Sequence, residues 1–101
     1  TGANIFFKDK DGNLHTPTPD SFLDGITRRT IIEIAKTKNI KVFERKIEVS
    51  ELSNFVGCFL TGTAAEVTPV SSIDRFNFKV CNTILELSKS YQDIVRKKIA
   101  A

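Results

Sequence analysis

In the last third of the chain, the apolar positions Val80, Ile84, Leu87, Tyr91, Ile94 and Val95 recur at i, i+4, i+7, i+11, i+14 and i+15. That is the period of a helix with one apolar face. The stripe runs into Arg96-Lys97-Lys98, cations suited to the negative end of a helix macrodipole. Nothing upstream repeats this pattern at such length. Instead, Asn4-Ile5-Phe6-Phe7 reads as a strand, Asp11-Gly12 supplies the positive φ of a reversal, and Leu14 to Thr16 returns as a second strand. Pro17 and Pro19 then hold the backbone extended without ladder donors, as an ordered loop or an edge. Ile31, Ile32, Ile34 and Ala35 predict a helix over about 27 to 38, with Asn39 as its left-handed stop. Ile40, Val42, Phe43 and Ile47 suggest a strand, and Ser50 a cap for a short helical turn over 51–54. Phe59 to Thr61 and Glu66 to Thr68 suggest two more short strands. Strands mixed with two helices make the expected class α/β, in the sense of α+β mixed.

With 101 residues, 41% of them hydrophobic, the chain can build one modest core as a single unit, and it is short for two domains or a self-contained cofactor enzyme. Its 15 Lys and Arg against 12 Asp and Glu are interspersed, which argues against a dedicated nucleic-acid or membrane surface. No apolar run approaches the about 18 to 20 residues of a spanning helix, and no basic-then-apolar leader precedes residue 1, so soluble material is expected; one possible cysteine pair is no disulfide framework, so a reducing, cytoplasmic location is expected. Cys58, Cys81 and His15 cannot assemble a four-ligand zinc site from Cys and His alone, and no metal is expected. The absence of methionine fits either removal of an initiator or a chain that begins within a longer gene product.

Two turns carry candidate chemistry. In Leu23-Asp24-Gly25-Ile26-Thr27, a glycine precedes a helix start whose first-turn threonine offers a hydroxyl. Unpaired first-turn amides and the macrodipole favour an anion there, while an ordinary loop with a threonine cap explains the same residues. In Leu60-Thr61-Gly62-Thr63-Ala64-Ala65, small side chains leave amides open, so Thr63 and Ala64 can form a backbone nest for a carboxylate or phosphate. A tight inter-strand turn with self-satisfied threonines is the alternative. The two together suggest one ligand with two anionic groups, or two ligands in one cleft. His15 lacks the partner spacing of a triad and reads as a hydrogen-bonded hairpin residue, and both thiols read as inert.

The ordered set Thr1-Gly2-Ala3-Asn4-Ile5-Phe6, Asp11-Gly12, Thr16-Pro17, Leu23-Asp24-Gly25-Ile26-Thr27-Arg28 and Leu60-Thr61-Gly62-Thr63-Ala64-Ala65-Glu66-Val67-Thr68-Pro69-Val70 resembles the branched-chain amino acid aminotransferases, which are fold-type IV pyridoxal-phosphate enzymes. The resemblance covers about residues 1 to 74 and is looser beyond. It implies the C-terminal part of a cofactor-binding domain, with Leu23 on the pyridine ring of pyridoxal 5'-phosphate (PLP), and Gly25, Ile26 and Thr27 at its phosphate. Gly62 and Thr63 would complete the phosphate site, and Thr63 and Ala64 would meet the substrate α-carboxylate. Gly2 and Asn4 match the end of the family's Glu-x-x-Gly-x-Asn motif beside the cofactor.

In that family the lysine that anchors the cofactor lies some tens of residues before the Glu-x-x-Gly motif, and the ring-nitrogen glutamate two residues before the position of Thr1. No catalytic residue is therefore expected in this chain, which should be inactive by itself. The parent would exchange amino groups between leucine, isoleucine or valine and 2-oxoglutarate in branched-chain biosynthesis, as a homodimer or higher homo-oligomer. A D-amino acid transaminase, an aminodeoxychorismate lyase, or a stand-alone anion-binding module are the alternatives. The complete Gly62 to Val70 run favours the branched-chain group.

Overall fold

The computed structural model describes residues 4–18, 26–62 and 67–100. Alternation of large side chains along β1 (Asn4–Asp9) decides the layering. Phe6 points to one face of the sheet and Phe7 to the other, and both are buried, so the sheet must be covered on both sides. Strands β1, β2 (Leu14–Thr16), β3 (Val42–Glu44), β4 (Phe55–Thr61) and β5 (Val67–Pro69) form one mixed sheet in the order β3-β2-β1-β4-β5. β3 runs parallel to β2 and every other pairing is antiparallel. Pro69 sits in the edge strand β5, where its missing N–H costs no ladder bond.

The helices α1 (Ile26–Thr37) and α2 (Asn82–Ala100) pack on the Phe6 face. Phe6 and Phe59 stack at 4.9 Å between ring centroids and are fully buried under Ile31, Ile84, Leu87 and Tyr91. On the opposite face, Phe7 stacks on Phe55 and meets Phe78, with Leu52 of a 3-10 helix (Val49–Asn54) and Cys58 filling the layer. A two-strand hairpin, β6 (Ser72–Ile73) with β7 (Phe76–Asn77), borders that second cluster. Burial pushes the Cys58 thiol up to about 12, so this cysteine is an inert core residue as the sequence suggests.

Local signals fix several boundaries. Gly12 takes φ +89° in the β1–β2 turn, where the Asp9 carboxylate accepts the N–H groups of Asp11 and Asn13. Asn39 takes φ 61° after α1, and the Ile40 N–H closes the helix end on Ala35 O. That bond removes Ile40 from the strand expected there, which shrinks to β3. Two other expectations are corrected. The Glu48 N–H donates to the Glu51 carboxylate at 2.9 Å, so Glu48 rather than Ser50 is the N-cap of the 3-10 helix. Val80 lies outside α2 and is half exposed, because the Lys79 N–H pairs with Val56 O and keeps this segment extended until Cys81.

At Gly57 an added Cβ would lie 3.1 Å from Ile84 Cδ1. This glycine lets the first turn of α2 approach β4.

Candidate functional site

Helix α1 starts beside the end of β4, although the two are 35 residues apart in sequence. The Thr27 hydroxyl donates to Gly62 O at 3.2 Å, and the Tyr91 phenol of α2 lies 3.1 Å from the same Thr27 oxygen. The start of α1 and Gly62, far apart in the sequence, thus share one corner of the molecule. Among the described residues, no acidic side chain stands in the first turn of α1. Arg28, 1% exposed, anchors this end by donating to Glu44 at 2.7 Å and to Pro17 O at 3.2 Å.

Two features of the corner suit a ligand. The Thr61 hydroxyl is buried and has no hydrogen-bond partner among the described residues, a state that costs free energy unless something satisfies it. Thr61 shares its sheet face with its cross-strand neighbours Asn4 and Val67, and with Phe59 two residues before it. A Cβ built on Gly62 would meet nothing within 4 Å among the described residues.

Of the residues expected at the site, Thr27 and Gly62 are brought together, and Ile26 is the first residue of α1. Gly2, Leu23, Gly25, Thr63 and Ala64 lie outside the described residues. Thr61 and Tyr91 are the additions. Thr61 is a polar residue on a strand face that otherwise buries aromatics, and Tyr91 is the one hydroxyl-bearing member of the apolar stripe; those were the available signals.

His15 stands on the other face of the sheet, across from Phe7. Its Nε2–H donates to Asp9 at 2.7 Å, its Nδ1 accepts from Arg45 Nε at 3.3 Å, and its ring lies between Phe43 and Phe55. With both nitrogens engaged it is the hydrogen-bonded hairpin residue the sequence suggests. Arg45 in turn holds Glu51 at 2.6 Å. The Arg45 guanidinium, with the Glu48 N–H, brings Glu51 down to about 2 from the ordinary 4.5. Burial raises the Asp9 carboxyl, but the His15 bond and the Asn13 and Asp11 N–H groups outweigh it and lower it overall.

Both carboxyl groups are depressed, so their stabilisation is complete above the unfolded-state value and is lost as pH falls through the folded one. The thermal midpoint should therefore drop between about pH 5 and about pH 2. Glu51→Gln should lower the midpoint near neutrality, flatten that acid slope and leave the midpoint near pH 2 almost unchanged. Thermal melts across the range check it.

A family model described as amino-transferase class IV matches residues 1–73. The chain belongs to the class IV aminotransferases. A probable branched-chain-amino-acid aminotransferase of Rickettsia felis is 48% identical over 101 residues, covering 96% of this chain and 34% of the relative. The crystal structure of the Thermoproteus uzoniensis branched-chain aminotransferase with norvaline is 38% identical, with TM-score 0.85 over 93% of this chain and 32% of that one. The branched-chain amino acid aminotransferase of T.th., complexed with N-(5'-phosphopyridoxyl)-L-glutamate, is 36% identical, with TM-score 0.82 over 91% and 32%. This class IV chain thus spans about a third of the length of these relatives. Among the described residues no helix is long and apolar enough to cross a membrane.

Class IV aminotransferases use PLP. The residues present fit its phosphate end, which needs hydroxyl donors, a helix start and backbone approach. Thr27 and the first turn of α1 provide the hydroxyl and the helix start, and Gly62, which meets no other described residue where a side chain would stand, leaves room for backbone approach.

Proposed function

We propose that this chain is the phosphate-holding part of a PLP-dependent branched-chain aminotransferase, which moves the amino group of leucine, isoleucine or valine to 2-oxoglutarate. The observation that carries the reading is the convergence of Thr27 and Gly62, which brings a helix start to the residue that follows β4. The relatives add to it, because one solved structure holds norvaline, an aliphatic amino acid, and another a phosphopyridoxyl adduct of glutamate. Bound PLP supplies an electron sink for the bonds at the substrate α-carbon.

The chain's own residues bind and orient. Thr27 and the first amides of α1 hold the phosphate, Gly62 leaves room for close approach, and Leu23 packs on the ring. Thr63 offers its hydroxyl to the phosphate, and the Thr63 and Ala64 N–H groups take the substrate α-carboxylate. Gly2 and Gly25 lie alongside the cofactor. The anchoring lysine and the ring-nitrogen glutamate come from polypeptide outside this chain, so the chain alone is inactive. The parent is a cytoplasmic homo-oligomer.

The test is amino transfer to 2-oxoglutarate by the full-length protein that contains this segment, with leucine, isoleucine and valine against D-alanine. Turnover of the branched-chain set, with none by residues 1–101 alone, is expected. A preference for D-alanine, or no transfer at all, would overturn the reading.

A further inference from the structure

We infer that Tyr91 is a positioning residue for the cofactor phosphate, acting through Thr27 from the C-terminal helix. The inference rests on the reading that Thr27 holds that phosphate. Thr27 has a single hydroxyl hydrogen, and it is donated to Gly62 O at 3.2 Å. The Tyr91 phenol, 3.1 Å away, is therefore the donor in its own bond to Thr27 Oγ1. The relay runs Tyr91 to Thr27 to Gly62.

Tyr91 is 5% exposed and its ring is clamped in the core layer with Ile84 and Leu87, so the phenol cannot turn elsewhere without leaving that layer. Its donation occupies a lone pair of Thr27 Oγ1 and leaves the Thr27 hydrogen to swing between Gly62 O and a ligand. A hydroxyl that accepts a hydrogen bond is also a stronger donor, because successive bonds polarise one another. Tyr91 thus both aims the Thr27 hydroxyl and strengthens it toward an anion.

Tyr91→Phe removes one oxygen and keeps the ring that fills the core. In the full-length apoenzyme, dissociation constants for PLP and for pyridoxal, which lacks the phosphate, separate positioning from packing. Tyr91→Phe is expected to weaken PLP about three- to tenfold, the scale of one hydroxyl hydrogen bond, and to leave pyridoxal unchanged. In a Thr27→Val background the same change should have no further effect on PLP, whereas in Thr27→Ser it should persist. Unchanged PLP affinity in Tyr91→Phe, equal weakening of PLP and pyridoxal, or a full effect in Thr27→Val would overturn the role of Tyr91. A wild type that binds PLP no better than pyridoxal would instead overturn the phosphate reading on which that role rests.

Discussion

Replacing Phe59 with alanine is expected to cost about 3–5 kcal/mol of folding stability, the range for emptying a fully buried aromatic site. Phe59 is completely buried and stacks on Phe6 with an interplanar angle of 2°, at the centre of the layer where α1 and α2 cover the sheet. Alanine there removes the transfer contribution of the ring and leaves a cavity that neighbours on three elements cannot all close. Against a total stability of about 5–15 kcal/mol for a domain of ordinary size, that is a large share. Leu85→Ala serves as the control, since Leu85 is 52% exposed and its truncation should stay within about 0.5 kcal/mol. Denaturant titration of both variants reads the difference. A Phe59→Ala cost no larger than that of Leu85→Ala would mean that the Phe6–Phe59 stack is not the centre of the core.

The second large effect is expected at the cofactor. Thr27→Val keeps the shape of the side chain and removes the hydroxyl that lies 3.2 Å from Gly62 O. In the full-length protein the lost bond is one from a hydroxyl to a charged phosphate, worth about 1.5–3 kcal/mol. PLP affinity should therefore fall about ten- to a hundredfold, at about 1.4 kcal/mol per factor of ten. The variant also strands the buried Tyr91 phenol without its acceptor, so a modest drop in stability accompanies the loss. Thr27→Ser, which retains the hydroxyl, should recover most of the affinity. Equal PLP affinity in the wild type and Thr27→Val would remove Thr27 from the phosphate site.

Those features of this fold that depend on a few neighbouring residues are legible in the sequence. Gly12 and Asn39 declare themselves because positive φ is a local property, and both turn up where a reversal and a helix stop were expected. The stripe from Ile84 to Val95 is legible for a similar reason, as a helix presents one face at a fixed period. Strand lengths were not. β1 continues through Asp9 and β4 begins at Phe55 because they pair with each other, and neither segment carries that information alone.

The candidate site divides in the same way. Thr27 and Gly62 stand out as turn chemistry, but their meeting needs the whole sheet and α1 between them. Tyr91 reads as one more apolar stripe position, and only the fold reveals that its phenol reaches Thr27. The pairing of Arg45 with His15 and Glu51 is equally invisible beforehand, since it links a hairpin, a loop and a 3-10 helix. The match of a class IV aminotransferase model to residues 1–73 covers the two turns at which anion binding was inferred.

The proposed function has one phosphate held between the first turn of α1 and Gly62. Its most direct test is the crystal structure of the full-length protein loaded with PLP. The phosphate is expected at the start of α1, with one of its oxygens about 2.5–2.7 Å from Thr27 Oγ1 and the Thr27 bond to Gly62 O given up. A phosphate bound elsewhere, with the Thr27 hydroxyl still on Gly62 O, would contradict it.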